Sequence, residues 1–568
     1  MAWLNVAHRK LVKLAFAVFT LFGIISFLTA GPSKPTRIQH NFQRKPLAQS
    51  ARQHAVKREF YHAWTAYKDH AWMADGLMPL SGSRKQQFCG WSATLVDSLD
   101  TLYIMGFDDE FQEAVNATLT IDFSGTVGDC VVNLFESTIR YLGGLLAAYD
   151  LSNDVRLLPK LVELGNLLHS AFRTPNGMPC THCKLGAKDV LLRAPNSASL
   201  ADVGSLYLEF ARLAQVTQDD KYMRTVEFLA DAFSRAQNQS SIAGLWPEIV
   251  IPSSTDGDNG RFAKGNFRYS LGALSDSAYE YLVKTHLLLG KSTKIYESMW
   301  KSASRQIKRH LLFRAFIPPA NKADVIFSGI ATMVPSGDEP MLETRTEHLA
   351  CFSGGMFAIA SRIFNEPRDF DVGKQITNGC VWAYHNSPTG IMPEALTTLP
   401  CSTGDGKQCA WNESYWDQES RRPANCLMAD CDKYTFPPGF LQVSDPSYKL
   451  RPEAIESVFV MWRMTGDEYW RDVGWSMFES IIEHTRSAYG HASLLSTMEM
   501  FDQDRYEKGL MVRKVLARRH DDMESFWFAE TLKYFYLLFS DPGLISLDEW
   551  VLNTEAHPFR LTPGIRGF

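Results

Sequence analysis

The 568-residue sequence has no glycine-rich phosphate loop ahead of a helix and no serine-nucleophile elbow. That removes the simplest nucleotide-dependent and serine-hydrolase readings. It has no excess of positive charge either. The net charge is −5, so nucleic acid is not an expected partner. Cys180-Thr-His-Cys183 has no companion CxxC and no βαβ context. A structural disulfide or unpaired thiols therefore outweigh a zinc or redox centre. Strand-like runs are sparse and fall in connections, such as 322–327 and 510–515. No composition break marks a second domain, and no short-period repeat marks a solenoid.

What is present is globular in character, with 45% hydrophobic and 21% charged residues. The 14 Trp, 20 Tyr and 35 Phe suit a large core, and equally suit surfaces on which sugars stack. Ten cysteines, several closely spaced, suggest disulfides in an oxidising compartment. Sequons at Asn116, Asn238 and Asn412 agree with that compartment. His8, Arg9, Lys10 and Lys13 precede residues 14–33, which carry no charge. About 20 such residues span a bilayer core as a helix. The run is longer than a usual signal-peptide core and lacks a good small-x-small cleavage site, so an uncleaved signal anchor is expected. The expected layout is a cytosolic tail at 1–13, a transmembrane signal anchor at 14–33, a stem at 34–57 and a luminal globular domain at 58–568. Pro35, Pro46 and polar or basic residues mark the stem.

Within the globular domain a single theme recurs seven times. An apolar-periodic helix ends in a polar or glycine-containing turn at 101–108, 145–150, 208–219, 281–290, 355–364, 458–467 and 531–541. Each interval has room for one further helix and a loop. Seven helix pairs closing on themselves would make an all-α toroid with a cleft.

Several helices or helix starts carry carboxylates beside small or aromatic residues. In Leu134-Phe-Glu-Ser-Thr-Ile-Arg140, Glu136 and Arg140 share a helical stripe, with Gly143 leaving space beside them. Taken alone, such a pair reads as an ordinary surface ion pair. Asp97 and Thr101 share a face with Asp100 beside them, and Asp276 and Glu280 lie one turn apart. Pro452 suits a first helical position, which puts Glu453 and Glu456 near the first turn. Acids there are also ordinary helix-dipole partners. Phe526 and Glu530 lie one turn apart. His348 taken alone reads as a buried structural histidine. Acids converging among aromatics suggest glycosidic-bond hydrolysis, where one acid protonates the leaving oxygen and another activates water or attacks.

With those residues laid out, the sequence resembles glycoside hydrolase family 47, the class I α1,2-mannosidases of the secretory pathway. The resemblance runs from about Tyr61 to Pro563. It is carried by the stretch 90–106, Leu134-Phe-Glu-Ser-Thr-Ile-Arg140, Asp276-Ser-Ala-Tyr-Glu-Tyr-Leu282, His348-Leu-Ala-Cys-Phe352, Leu450-Arg-Pro-Glu-Ala-Ile-Glu-Ser457, the stretch 524–534 and Asn553-Thr-Glu-Ala-His-Pro558. It implies an (α/α)7 barrel with a C-terminal β-hairpin plug. It implies an inverting exo-hydrolase that removes terminal α1,2-linked mannose from Man9GlcNAc2-type N-glycans. It also implies a Ca2+ held by the hydroxyl and carbonyl of Thr554, in keeping with that ion's taste for oxygen. Glu453 matches the general base, and Glu136 (through a water) and Asp276 compete for the acid. Arg140, His348, Arg451, Glu456, Phe526 and Glu530 match substrate- or water-binding positions, and Glu209 is expected to line the cleft. Cys351 and Cys380 match the family's disulfide. Cys401, Cys409, Cys426 and Cys431 lie in an insertion-like loop that suggests one or two more.

One departure is informative. Leu274 stands where the narrow endoplasmic-reticulum members carry Arg, so a charged multi-donor anchor for glycan branches is missing. The resemblance then favours a Golgi- or fungal-type enzyme trimming towards Man5. The alternatives are narrow Man9-to-Man8 trimming or a mannosidase-like lectin of glycoprotein degradation.

Overall fold

The computed structural model describes residues 37–561 apart from 43–48, 124–129, 187–190, 255–260, 291–292, 319–323, 335–338, 402–408, 423–435 and 508–509. The expected tail and anchor, and Cys426 and Cys431, lie outside the described residues. No described helix is long and apolar enough to cross a membrane.

The compact unit Ile38–Phe568 is rich in helix. In chain order its principal helices are α1 (Ser50–Ala71), α2 (Leu99–Ile104), α3 (Asp108–Thr118), α4 (Gly143–Ser152), α5 (Leu157–His169), α6 (Tyr207–Thr217) and α7 (Asp220–Ala236). They continue with α8 (Asp276–Leu288), α9 (Lys294–His310), α10 (Phe352–Ile363), α11 (Pro367–Asn386), α12 (Glu453–Thr465), α13 (Tyr469–Thr485) and α14 (Leu532–Leu538). The even-numbered helices contact one another in succession from α2 to α14. The turn Trp527–Thr531 that leads into α14 packs back on α2. Each even-numbered helix also packs on an odd-numbered neighbour: α2 on α3, α4 on α5, α6 on α7, α8 on α9, α10 on α11, α12 on α13, and α14 on α1.

The two sets differ as their sequences require. In α7 the buried residues Tyr222, Val226, Leu229, Ala230 and Phe233 form one stripe, with the other face polar. In α10 nearly every residue is buried, including Ser353, Gly354 and Gly355, as suits a helix enclosed on all sides. The recurrent helix end also has a physical cause. Gly106, Asn153, Gln218, Gly290, Asn365 and Gly466 sit at or just beyond the ends of α2, α4, α6, α8, α10 and α12 with left-handed φ. A residue in that conformation lets backbone N–H groups turn back onto the last free carbonyls.

Chain ahead of residue 58, read in the sequence as stem, is ordered from Ser50 as helix. Residues from Ser50 onward form α1, whose Val56, Phe60, Ala63, Trp64 and Tyr67 are buried. Ile38 and Gln39 donate their N–H groups to Asp548 at 2.7 and 3.1 Å, so chain ahead of 58 belongs to the globular unit. The basic residues Arg52, Lys57 and Arg58 mask an i, i+4, i+7 apolar stripe.

Short antiparallel strands occupy the connections. Those that bear on the site are β1 (Arg345–Glu347), β2 (Ala395–Thr397) and β3 (Gln442–Asp445), which form one sheet, and the hairpin of β4 (Trp550–Leu552) and β5 (Pro558–Arg560). Val551, Leu552 and Phe559 bury the hairpin. Its turn meets the start of α4. A Cβ on Gly143 would lie 2.6 Å from Asn553 Nδ2 and 2.8 Å from a His557 ring carbon. The space at Gly143 thus serves the hairpin turn.

Candidate active site

The helix that carries Glu136 is not regular. Leu134–Glu136 is α-helical, Ser137–Leu142 widens into a π turn, and α4 continues from Gly143. Asn133 caps its start, accepting the Glu136 N–H at 3.1 Å. Arg140 reaches Glu136 at 2.8 Å and Glu555 at 2.9 Å, and lies 3.6 Å from Asp97. The pair is therefore no surface pair: Arg140 is 6% exposed. Behind it, His557 bridges Asp97 and Asp100 at 3.0 Å each, and Lys533 meets Asp100 at 2.6 Å. These groups tie the hairpin turn to α2 and α14. Burial alone would lower the His557 pKa, but the two aspartates outweigh it and raise the value, favouring the charged ring.

Glu453 opens α12, with Pro452 as the cap and not the first helical residue. One of its carboxylate oxygens meets His348 Nδ1 at 2.8 Å, and His348 Nε2 meets the Tyr384 hydroxyl at 2.9 Å. His348 is fully buried, so it stands behind Glu453. Arg451 lies 3.7 Å from the other Glu453 oxygen and donates to Glu394 at 2.6 Å. Burial would raise the Glu453 pKa, but the His348 hydrogen bond and the Arg451 charge outweigh it and bring the value below the ordinary range.

Asp276, at the first turn of α8, is treated in the opposite way. Its Oδ1 accepts the Ser277 N–H at 2.7 Å and the Ser277 hydroxyl at 3.1 Å. Burial, with Glu280 and Glu453 adding like charge, pushes its pKa up to about 7 despite those two bonds. A carboxylate held ionised and a carboxyl that keeps its proton up to about neutrality form an acid–base pair whose roles are set by surroundings. Phe526 is 8% exposed and lies between two guanidiniums, 5.7 Å from Arg140 and 5.9 Å from Arg451.

Beneath these groups the charge is unbalanced. Lys284 ion-pairs with Glu280 and lies 3.6 Å from Glu456. Burial drives the Glu456 pKa up to about 8 and raises that of Glu530, which faces Glu555, Glu453 and Glu456. Glu530 belongs to a second π turn, Trp527–Thr531. Glu209, expected on the cleft wall, is fully buried under the hairpin. It accepts the Tyr281 hydroxyl at 2.5 Å and Asn553 Nδ2 at 2.8 Å, and its Oε2 has no hydrogen-bond partner. Burial lifts its pKa to about 7.

Thr554 sits in the turn of the hairpin, its N–H 3.3 Å from the Tyr281 hydroxyl. Next to it, Asn553 O accepts from Lys284 at 3.2 Å. Among the described residues no three His, Cys, Asp or Glu side chains are arranged to ligate a metal directly. A neutral hydroxyl and carbonyl beside underbalanced carboxylates and an orphaned buried oxygen suit a hard divalent cation whose remaining ligands are water.

Cys351 and Cys380 are bonded, as are Cys89–Cys130, Cys180–Cys183 and Cys401–Cys409. Sequence reading passed over Glu394 and Glu555 as site residues. For Glu394 a signal existed: Pro393-Glu-Ala395 repeats the Pro452-Glu-Ala454 motif.

The profile of Glycosyl hydrolase family 47 matches residues 59–561. A Spodoptera frugiperda protein named mannosyl-oligosaccharide alpha-1,2-mannosidase IA is 32% identical over 514 residues, which cover 89% of this chain and 66% of that protein. The chain therefore spans just under two thirds of that relative's length. A Candida albicans mannosyl-oligosaccharide 1,2-alpha-mannosidase is 31% identical over 89% of this chain and 83% of its own. The solved structure of an alpha-1,2-mannosidase from Trichoderma reesei superposes with a TM-score of 0.75 at 29% identity, covering 90% of this chain and 99% of that one.

Proposed function

The chain belongs to glycosyl hydrolase family 47, and we propose that it removes terminal α1,2-linked mannose from high-mannose N-glycans with inversion at the anomeric carbon. The observation that carries this reading is the divergence of two site carboxyls, Glu453 held below the ordinary range and Asp276 raised to about 7. Asp276 gives its proton to the glycosidic oxygen as the C1–O bond breaks. Glu453 takes a proton from a water whose oxygen joins C1 from the opposite face, so β-mannose leaves. Glu136 is the runner-up for the acid, working through a water, but its carboxylate is already engaged by Arg140. Phe526 supplies an apolar edge for the sugar ring, with the Arg451 guanidinium over the Phe526 ring.

Thr554, through its hydroxyl and carbonyl, is the protein ligand we assign to calcium. Bound there, the ion would offer coordination to hydroxyls of the terminal mannose. The successive contacts of the even-numbered helices and the return from Trp527–Thr531 to α2 support an (α/α)7 barrel plugged by β4 and β5. Leu274 is 45% exposed, and with no charged anchor at that position trimming proceeds towards Man5. The exposed sequon residues Asn116, Asn238 and Asn412 and the disulfides support a luminal domain behind a single-pass type II anchor at 14–33, with the Golgi favoured. Chromatography of Man9GlcNAc2 digests over time tests the reading. Stepwise loss of mannose to Man5 is expected, a stop at Man8 contradicts the Leu274 assignment, and no release contradicts the activity.

A further inference from the structure

We infer that Glu347 is a positioning residue for the reaction, fixing the turn that carries both Asp276 and Leu274. The inference rests on the assignment of Asp276 as proton donor. The turn 271–276 is tightly wound: Gly272 O accepts the N–H groups of Ser275 at 3.2 Å and Asp276 at 3.1 Å. Leu274 is held at φ +75°, a left-handed conformation that a branched apolar side chain adopts only when its surroundings impose it. Its carbonyl accepts the Ala201 N–H at 2.8 Å.

Glu347 grips this turn from outside. One carboxylate oxygen accepts the Ala273 N–H at 2.8 Å, and the other is held by Arg345. A Cβ at position 272 would overlap the Glu347 carboxylate, so Gly272 is the berth into which that carboxylate fits. The Glu347 side chain is only 16% exposed. An exposed Arg–Glu pair contributes little, but a recessed carboxylate on a backbone N–H is a charge-assisted bond of the stronger kind.

The position of Glu347 in the sheet gives this contact its consequence. Glu347 ends β1, opposite Ala395 of β2. The next residue, His348, donates its N–H to Glu394 O at 2.9 Å and meets Glu453 through its ring. The Glu394 carboxylate holds Arg451. Consecutive residues, 347 and 348, thus secure the turn of the acid and the side chain of the base. Displacing Glu347 frees the acid's turn while the base stays held, and a small misplacement of one reacting group is costly. Because Leu274 is in the same turn, the choice of glycan branch moves with the rate.

The test measures kcat and KM on α1,2-mannobiose and on Man9GlcNAc2, the Man8 isomers formed first, and a thermal melt, for the parent, Glu347→Ala and Glu347→Gln. Glutamine keeps an oxygen for the Ala273 N–H and alanine does not. For Glu347→Ala we expect kcat on both substrates to fall about tenfold, with an altered Man8 isomer pattern, while Glu347→Gln stays within about twofold of the parent. Parent-like kcat and isomers in Glu347→Ala overturn the inference. So does an equal loss in Glu347→Gln, or a loss that disappears below the melting range. If Glu347→Ala does not fold, Gly272→Ala crowds the same carboxylate from the turn side and should reproduce the kcat loss; parent kcat there overturns it. A parent that releases no mannose would instead contradict the proposed function.

Discussion

Asp97 and Asp100 lie within reach of Arg140, His557 and Lys533, all fully or almost fully buried, and together these groups dock the hairpin turn on α2 and α14. Asp276, Glu456 and Glu530 face the same region from α8, α12 and the turn before α14, yet share too little positive charge. Burial, with too little positive charge to offset it, raises their pKa values. The first set is balanced and holds architecture. The second is left unbalanced, and its carboxyls are free to carry a proton or to face a cation. The difference shows that buried acids on neighbouring helices take their roles from the balance between burial and the cations they share, not from residue type.

Glu453 is the ionised member nearest the unbalanced set, and removing its charge should produce the largest effect. Glu453→Gln is expected to cut turnover about a thousandfold while leaving binding of Man9GlcNAc2 measurable by calorimetry. Unchanged turnover would remove it as the base. Stripping calcium with a chelator should stop mannose release and lower the melting temperature, and restored calcium should reverse both. At about a hundredfold excess over its dissociation constant the ion adds about 2.7 kcal/mol. Full activity in excess chelator would leave the unbalanced acids without their cation.

On the balanced side the effect should appear in stability. Lys533→Met leaves the Asp100 carboxylate with His557 and the Thr101 hydroxyl but without its lysine, and should cost about 3–5 kcal/mol in denaturant unfolding. A loss under about 1 kcal/mol would mean that the docking network is dispensable. The smallest effect is expected at the rim. Leu274→Arg should leave kcat on α1,2-mannobiose within about twofold and change only the order and extent of trimming on Man9GlcNAc2.

Much of the fold was legible because it rests on local signals. The seven recurrent helix ends of the sequence fall at the ends of the seven even-numbered helices, six of them marked by a residue with left-handed φ. Glu136, Arg140, Asp276, Glu453, Glu456 and Glu530 could be singled out as acids and bases beside small or aromatic residues. Their electrostatic sorting could not, because Asp97, His557 and Lys533 come together from three distant stretches. Nor do the two π turns under Arg140 and Glu530 leave a mark in hydrophobic periodicity. The start of α1 was hidden by flanking prolines and basic residues, and the full burial of Glu209 under the hairpin leaves no mark in the sequence, where a carboxylate near a cleft motif reads equally as wall or floor.

The pH dependence of kcat/KM on Man9GlcNAc2, for the parent and Asp276→Asn, tests the assignment of the unbalanced acid most directly. A carboxyl with a raised pKa is active while protonated, so parent activity should fall as pH rises through about 7. On the acid side activity should appear as Glu453 ionises, below the ordinary glutamate range. In Asp276→Asn the residual activity should lack the alkaline limb. An alkaline limb that persists in Asp276→Asn and vanishes in Glu136→Gln would contradict this assignment and give the proton to Glu136.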